Sequence, residues 1–148
     1  MARIKLKDQP EYEFQMEIHV RITDINMGGH VSNGTIADYM QVANSNVFKS
    51  LGLVEANLGD DKTGTVYGDL VINFRAEAFP GNILTIESHI DEIDECSFRI
   101  FHRIKRDDQI IALGEVGIVA FNYFERRRSS VPEEFIKALE GYKKTVSG

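Results

Sequence analysis

One cysteine, three prolines, no tryptophan and no long apolar run characterise this 148-residue chain by what it lacks. The lone Cys96 excludes an internal disulfide framework and a cysteine-rich zinc site, and it suits a reducing cytoplasm. No stretch approaches the roughly 18 apolar residues of a membrane span, so no membrane association is expected. The opening MARIKLKDQPEYEF has no apolar core of signal-peptide length, so no secretory signal is read and a cytoplasmic location is expected. Basic charge is also short: 17 Lys and Arg stand against 23 Asp and Glu, a net charge of −6. General nucleic-acid binding needs a basic face to neutralise phosphates and is therefore not expected, although a local anion site remains compatible. No repeat, low-complexity segment or shift in composition divides the chain. Residues 1–148 read as one domain, long enough to bury a core.

What is present is period. Phe14, Met16, Ile18, Val20 and Ile22 alternate with polar residues, as a half-buried strand requires. The alternation stops at Gly28-Gly29, and a different spacing begins. Ile36, Tyr39, Met40, Ala43, Val47 and Leu51 trace one face of a helix over residues 33–50. Ser32 or Asn33 is its expected cap, and Gly52 stands where helices commonly end. Four further strands follow: one from Val66 to Ala76, one through Leu84, Ile86 and Ile90, one through Phe98, Ile100, His102 and Ile104, and the long run IIALGEVGIVAFNYF. The last is nearly all apolar, as for a central strand buried on both faces. SSVPEEFIKALEGY closes the chain as a short helix, with Pro132 in its first turn and two glutamates at its positive end.

One strand, one long helix, four strands and a terminal helix predict an α+β fold. Short turns make the sheet antiparallel and five-stranded, and a single amphipathic helix can cover only one of its faces. The other face and the edges are expected to be buried by self-association.

Polar chemistry crowds into RITDINMGGHVSNG, between the first strand and the helix. Here the chain resembles hot-dog-fold acyl-CoA thioesterases of the 4-hydroxybenzoyl-CoA thioesterase type, in which D-x-D is followed by G-H-V-x-N and a helix. Asp24, Gly29, His30, Val31 and Asn33 match that signature. VINFRAEAFPGNILTIESHI and GEVGIVAFNYFERRRSSVP are similar to later segments of the same family, in the same order. The resemblance implies a sheet wrapped around the helix of residues 33–50. It also implies a homodimer or homotetramer with sites between protomers, and an acyl-CoA or acyl-carrier thioester as substrate. Coenzyme A would then enter as part of the substrate, with no other cofactor.

The departures are at the chemistry. Asn26 stands at the family's second aspartate, and an amide accepts no proton at neutral pH. Ile36, Gln41 and Asn44 replace the family's usual aromatic, glutamate and arginine on the helix. The helix start still offers free backbone N–H groups backed by the positive end of the helix dipole. In the resembling enzymes this end polarises the thioester carbonyl, which singles out Asn33 N–H. For activating water the remaining groups are Asp24, His30 and Asp38. Imidazole's ordinary pKa of about 6.5 suits a base. The plainer alternatives are a turn brace for Asp24, a structural loop residue for His30 and a solvated helix residue for Asp38.

The expected catalytic set is thus Asp24, Asn26, His30 and Asn33. Expected substrate contacts are Gly28, Gly29, Val31, Tyr39, Arg126 and Arg128. The glycines serve backbone conformation first, and GGH lacks the lysine of a P-loop. Arg126 to Arg128 suit phosphates or a solvated turn equally, whereas Asp94 and Glu95 would repel a diphosphate. His19, His89 and His102 fall in separate strands without ligand spacing, so no metal is expected. Hydrolysis of a thioester is the leading reading. The alternative is a thioester-binding module that lost its carboxylate, with a dehydratase a more distant third.

Overall fold

The computed structural model describes residues 2–147. Its strands are β1 (Phe14–His19), β2 (Thr63–Phe74), β3 (Ile83–Asp91), β4 (Ser97–Arg106), β5 (Gln109–Asn122) and the two-residue β6 (Arg127–Arg128). They form one antiparallel sheet in the order β1-β3-β4-β5-β2, with β6 added on β5. The helices are α1 (Asn33–Ser50) and α2 (Glu133–Ser147). None of the described helices is long and apolar enough to cross a membrane.

The limits of α1 are those its sequence predicts. Ser32 is the cap: its hydroxyl accepts the Thr35 N–H at 3.1 Å. Gly52 follows the helix with φ 75°, a conformation glycine adopts freely. Ile36, Tyr39, Met40, Ala43, Val47 and Phe48 are buried against the concave face of the sheet. α1 packs chiefly on β1, β3 and β4 and leaves a groove beside the edge strand β2. The core has two centres. Around the helix start, Val31, Ile36, Tyr39 and Met40 meet Leu84, Ile86, Ile104 and Ile111. Toward its end, Val47 and Phe48 meet Phe98, Ile100 and Ile118, and α2 closes this half with Phe135 and Leu139. Phe98 and Phe135 stack with centroids 4.7 Å apart.

Three expectations are corrected. β1 ends at His19, and residues 22–24 turn as a 3₁₀ helix that leaves Ile22 exposed. Alternation alone continued the strand; hydrogen bonds to Asp24 end it. α2 is the shorter of the two helices, as expected, and runs to Ser147. Arg127 and Arg128 form β6, not part of a plain turn. The convex sheet face is also not left bare, because the amino-terminal segment crosses it. There Leu6 N–H donates to Asn73 Oδ1 at 2.7 Å, and Asn73 Nδ2 donates to the Ile4 carbonyl at 2.9 Å. Arg103 lies between Asp8 and Glu87, 4.3 Å from the centre of the Tyr12 ring. This strap buries Phe101 and Leu113, two apolar side chains on the convex face. The edge strand β2 keeps Val66, Tyr67, Leu70 and Phe74 exposed.

Candidate active site

The loop from Arg21 to Ser32 is built around the buried carboxylate of Asp24. Its Oδ2 accepts the Arg21 backbone N–H at 3.0 Å and the Tyr39 hydroxyl at 2.7 Å, and its Oδ1 accepts the Arg21 guanidinium at 3.1 Å. Burial alone would raise the Asp24 pKa. These hydrogen bonds and the nearby cation outweigh it and hold the carboxyl below its ordinary value. The same burial and the same carboxylate push the Tyr39 hydroxyl upward. Asp24 therefore ties the loop to α1. Tyr39 is buried, does not line the cleft described below, and has its hydroxyl engaged by Asp24.

Beyond Asp24 the loop narrows to a tight turn. The Asn26 N–H donates to the His30 carbonyl at 2.9 Å, and Gly29 N–H donates to the Asn26 carbonyl at 3.1 Å. The Asn26 side-chain oxygen accepts Gly28 N–H at 2.9 Å. Gly29 has φ 80°, which a side chain rarely tolerates. At Gly28 the missing side chain matters for another reason. A Cβ there would stand 3.2 Å from His30 Nε2 and 3.3 Å from Asn26 Oδ1. That is closer than side-chain carbons usually pack, so glycine lets the imidazole nitrogen and the amide oxygen close over position 28.

The ring of His30 is oriented by its backbone neighbour. Its Nδ1 lies 3.0 Å from the Val31 carbonyl oxygen, which can only accept, so Nδ1 carries the proton. Nε2, on the Gly28 side, is then the basic nitrogen. His30, Val31, Asn33 and Ile36 form one wall of a cleft of about 320 Å³, and Phe74 and Ala78 contribute to the other. Val31 N–H is used on the Ala78 carbonyl at 2.8 Å, and Thr35 N–H on the Ser32 cap. Asn33 and Gly34 N–H have no acceptor among the described residues, as expected in a helix's first turn. The cleft thus joins the free Asn33 N–H, at a positive helix end, to the His30 imidazole.

Asp38 is exposed on α1 and does not line the cleft. Arg126 and Arg128 are exposed as well, at the other end of the sheet. β5 pairs Ala112 with Phe74 beside the cleft and Asn122 with Thr63 beside the arginines, so roughly 35 Å of strand separates them. The Arg126 guanidinium lies 5.8 Å from the centre of the Phe121 ring. Asp94 and Glu95 are exposed between β3 and β4. Away from the cleft, Glu11, Glu13 and His89 bring one ligand atom each within 4.8 Å of one another, a spacing that could hold a metal ion. Glu13 and His89 already pair at 2.7 Å.

The sequence names Asn44 and His102 without giving either a role and does not single out Ser88; all three are buried at 2% exposure or less. Each occupies a core-facing place in its own periodic pattern, and that was the available signal. His102 lies 2.6 Å from Asn44 Oδ1 and 2.8 Å from Ser88 Oγ.

An antiparallel sheet curled around one long helix, with a cleft at the helix start, defines a hot-dog fold of thioesterase type. The family model of the thioesterase-like superfamily matches residues 20–139, and the chain belongs to that superfamily. Among solved structures, a 1,4-dihydroxy-2-naphthoyl-CoA thioesterase from Synechocystis is 20% identical, with a TM-score of 0.76 over 85% of this chain and 94% of that one. A gentisyl-coenzyme A thioesterase is 22% identical, with a TM-score of 0.75 over 84% and 98%. A hypothetical protein of Thermus thermophilus, TT1821, is 20% identical, with a TM-score of 0.78 over 89% and 99%. At such identities the likeness establishes the fold. No curated protein sequence matches the chain.

Proposed function

We propose that the protein hydrolyses an acyl-CoA or acyl-carrier thioester to a free acid and a thiol. The observation that carries the reading is the unpaired N–H of Asn33 on the cleft that His30 lines, with the free Gly34 N–H next to it at the helix start. The thioester carbonyl oxygen accepts from these donors, where negative charge develops on attack. A water between Asn26 Oδ1 and His30 Nε2 gives a proton to Nε2, and its oxygen bonds to the carbonyl carbon. The tetrahedral intermediate expels the sulfur, which takes the proton back from the imidazolium. Asp24 holds the loop through Arg21 and Tyr39. Gly28 lets the imidazole and the amide close over the turn, and Gly29 supplies its left-handed backbone.

Exposed apolar side chains on edge strand β2 and the fully exposed Met27 favour a second copy of the chain as partner. Arg126 and Arg128 then serve phosphates only for a thioester bound across two protomers.

Thiol release from a panel of CoA esters tests the reading. The preferred ester should reach kcat/KM of about 10⁴ M⁻¹ s⁻¹ or more. His30→Asn should cost roughly 10²–10⁴ in kcat. Asp24→Asn should lower thermal stability and leave kcat within about tenfold, since its carboxylate braces the loop. A folded Asp24→Asn protein as inactive as His30→Asn would assign the base to Asp24 instead. Tight binding of a CoA ester without turnover would make the protein a thioester-binding module.

A further inference from the structure

Beyond the cleft, the groove between α1 and β2 opens into a second hollow of about 260 Å³, bordered by Ala37, Met40, Gln41, Asn44, Tyr67 and Asp69. The four helix residues follow Asn33 at steps of four, seven, eight and eleven, so hollow and helix start share one stripe of α1. A group reaching from the carbonyl site along this stripe meets the hollow next.

Behind the hollow a chain of polar contacts crosses the core. Ser88 Oγ lies 2.8 Å from His102 Nδ1, and His102 Nε2 lies 2.6 Å from Asn44 Oδ1. Asn44 Nδ2 donates to Gln41 Oε1 at 3.5 Å, and Gln41 Nε2 donates to the Tyr67 hydroxyl oxygen at 3.5 Å. Tyr67 stands beside the Glu55 carboxylate; burial and that charge keep its hydroxyl protonated. A carboxylate only accepts, so the Tyr67 proton turns to Glu55 and its oxygen accepts from Gln41. Each inward step then has one direction: Gln41 oxygen accepts from Asn44, Asn44 oxygen accepts from His102 Nε2–H, and His102 Nδ1 accepts the Ser88 proton. Burial pushes the His102 pKa down to about 3, which keeps the ring neutral as this direction requires.

The direction leaves one Gln41 N–H unspent at the hollow. Asp69, on the same border, is a carboxylate met by Arg99 at 2.7 Å. A hydroxyl both accepts and donates, so it can satisfy Gln41 and Asp69 together. A hydrocarbon end leaves the Gln41 donor unpaired, and an anionic end meets the like charge of Asp69.

We infer that this hollow selects thioesters whose acyl group carries a neutral hydroxyl, with Gln41 as its donor and Asn44, His102 and Ser88 as positioning residues. The inference rests on the proposed thioester site at Asn33. Gln41 lies about 12 Å along the axis from Asn33, and helix side chains lean toward the N-terminus, which sets the hydroxyl roughly 6–10 Å from the carbonyl.

The test compares kcat/KM for ω-hydroxyhexanoyl-CoA, hexanoyl-CoA and adipoyl-CoA. The wild type should favour the hydroxylated ester over each of the others by about 10–100-fold. Gln41→Leu and His102→Leu should bring the hydroxyl preference to within about twofold of unity, and His102→Gln, which retains an N–H for Asn44, should restore it. A wild-type ratio near unity overturns the inference. So does a folded His102→Leu protein that keeps the wild-type ratio, and Ser88→Ala supplies the same reading if His102→Leu does not fold. Should none of the esters be hydrolysed, the thioesterase reading falls by itself. The preference is then read from dissociation constants of the same esters, and equal constants overturn the hollow's role.

Discussion

Asn26→Asp is expected to rescue the His30→Asn protein, raising its kcat for the preferred thioester by about 10²–10⁴. The loop is already shaped for a carboxylate. Asn26 is exposed, its backbone is held on both sides by hydrogen bonds to His30 and Gly29, and its side-chain oxygen accepts Gly28 N–H. An aspartate of the same shape keeps the Gly28 bond with one oxygen and frees the other to take a proton from water. The amide cannot do this at neutral pH. The turn is unchanged, so the gain should fall on kcat and leave KM nearly still. Saturating assays of thiol release on both proteins give the comparison. Equal rates would mean that a carboxylate at position 26 does not reach the water. A fall would mean that the Asn26 amide N–H donates to the substrate.

The second large effect is on stability in acid. His102 is wholly buried, and burial alone pushes its folded pKa down to about 3, against about 6.5 for an unfolded histidine. The unfolded chain therefore binds the proton more readily between those values. Stability is fully present above pH 6.5 and is lost as pH falls toward 3, at roughly 1 kcal/mol per pH unit. The buried pair of His89 and Glu13 works the other way over part of this range. Burial opposes the charge on His89, but the hydrogen bond and charge of Glu13 raise its pKa, and Glu13 is lowered in turn. The His89 contribution is present below pH 6.5 and lost as pH rises through its folded pKa. The Glu13 contribution is present above pH 4.5 and lost in stronger acid. Urea denaturation of wild type and His102→Gln between pH 4.5 and 7.5 separates the two. The wild type should lose about 2–3 kcal/mol relative to the variant as pH falls across that whole window. Parallel curves would show that His102 is protonated in the folded protein.

Much of the architecture was legible because it is written in local spacing. The helix of residues 33–50, its Ser32 cap and the alternation of β2 to β5 depend on residues within a few positions of one another. The departure at Asn26 was legible for the same reason, since it interrupts a short signature. The end of β1 was not. Alternation runs on to Ile22, but the Asp24 carboxylate turns the chain by bonding to Tyr39, 15 positions away. The strap over the convex face was hidden as well, because Asn73 and Arg103 hold segments more than 60 positions distant.

Sequence by itself determined the order of elements, the free donors at the start of α1 and the identity of the group at position 26, since periodicity, capping and a motif are properties of neighbours along the chain. Tertiary structure decided what those groups face. It engaged Asp24 in a brace, set Nε2 of His30 beside Gly28, and moved Arg126 and Arg128 to the far end of the sheet. It also joined Asn44 to His102 across 58 positions. The physical reason is that a buried polar group must find its partner where packing places one, and packing ignores distance along the chain.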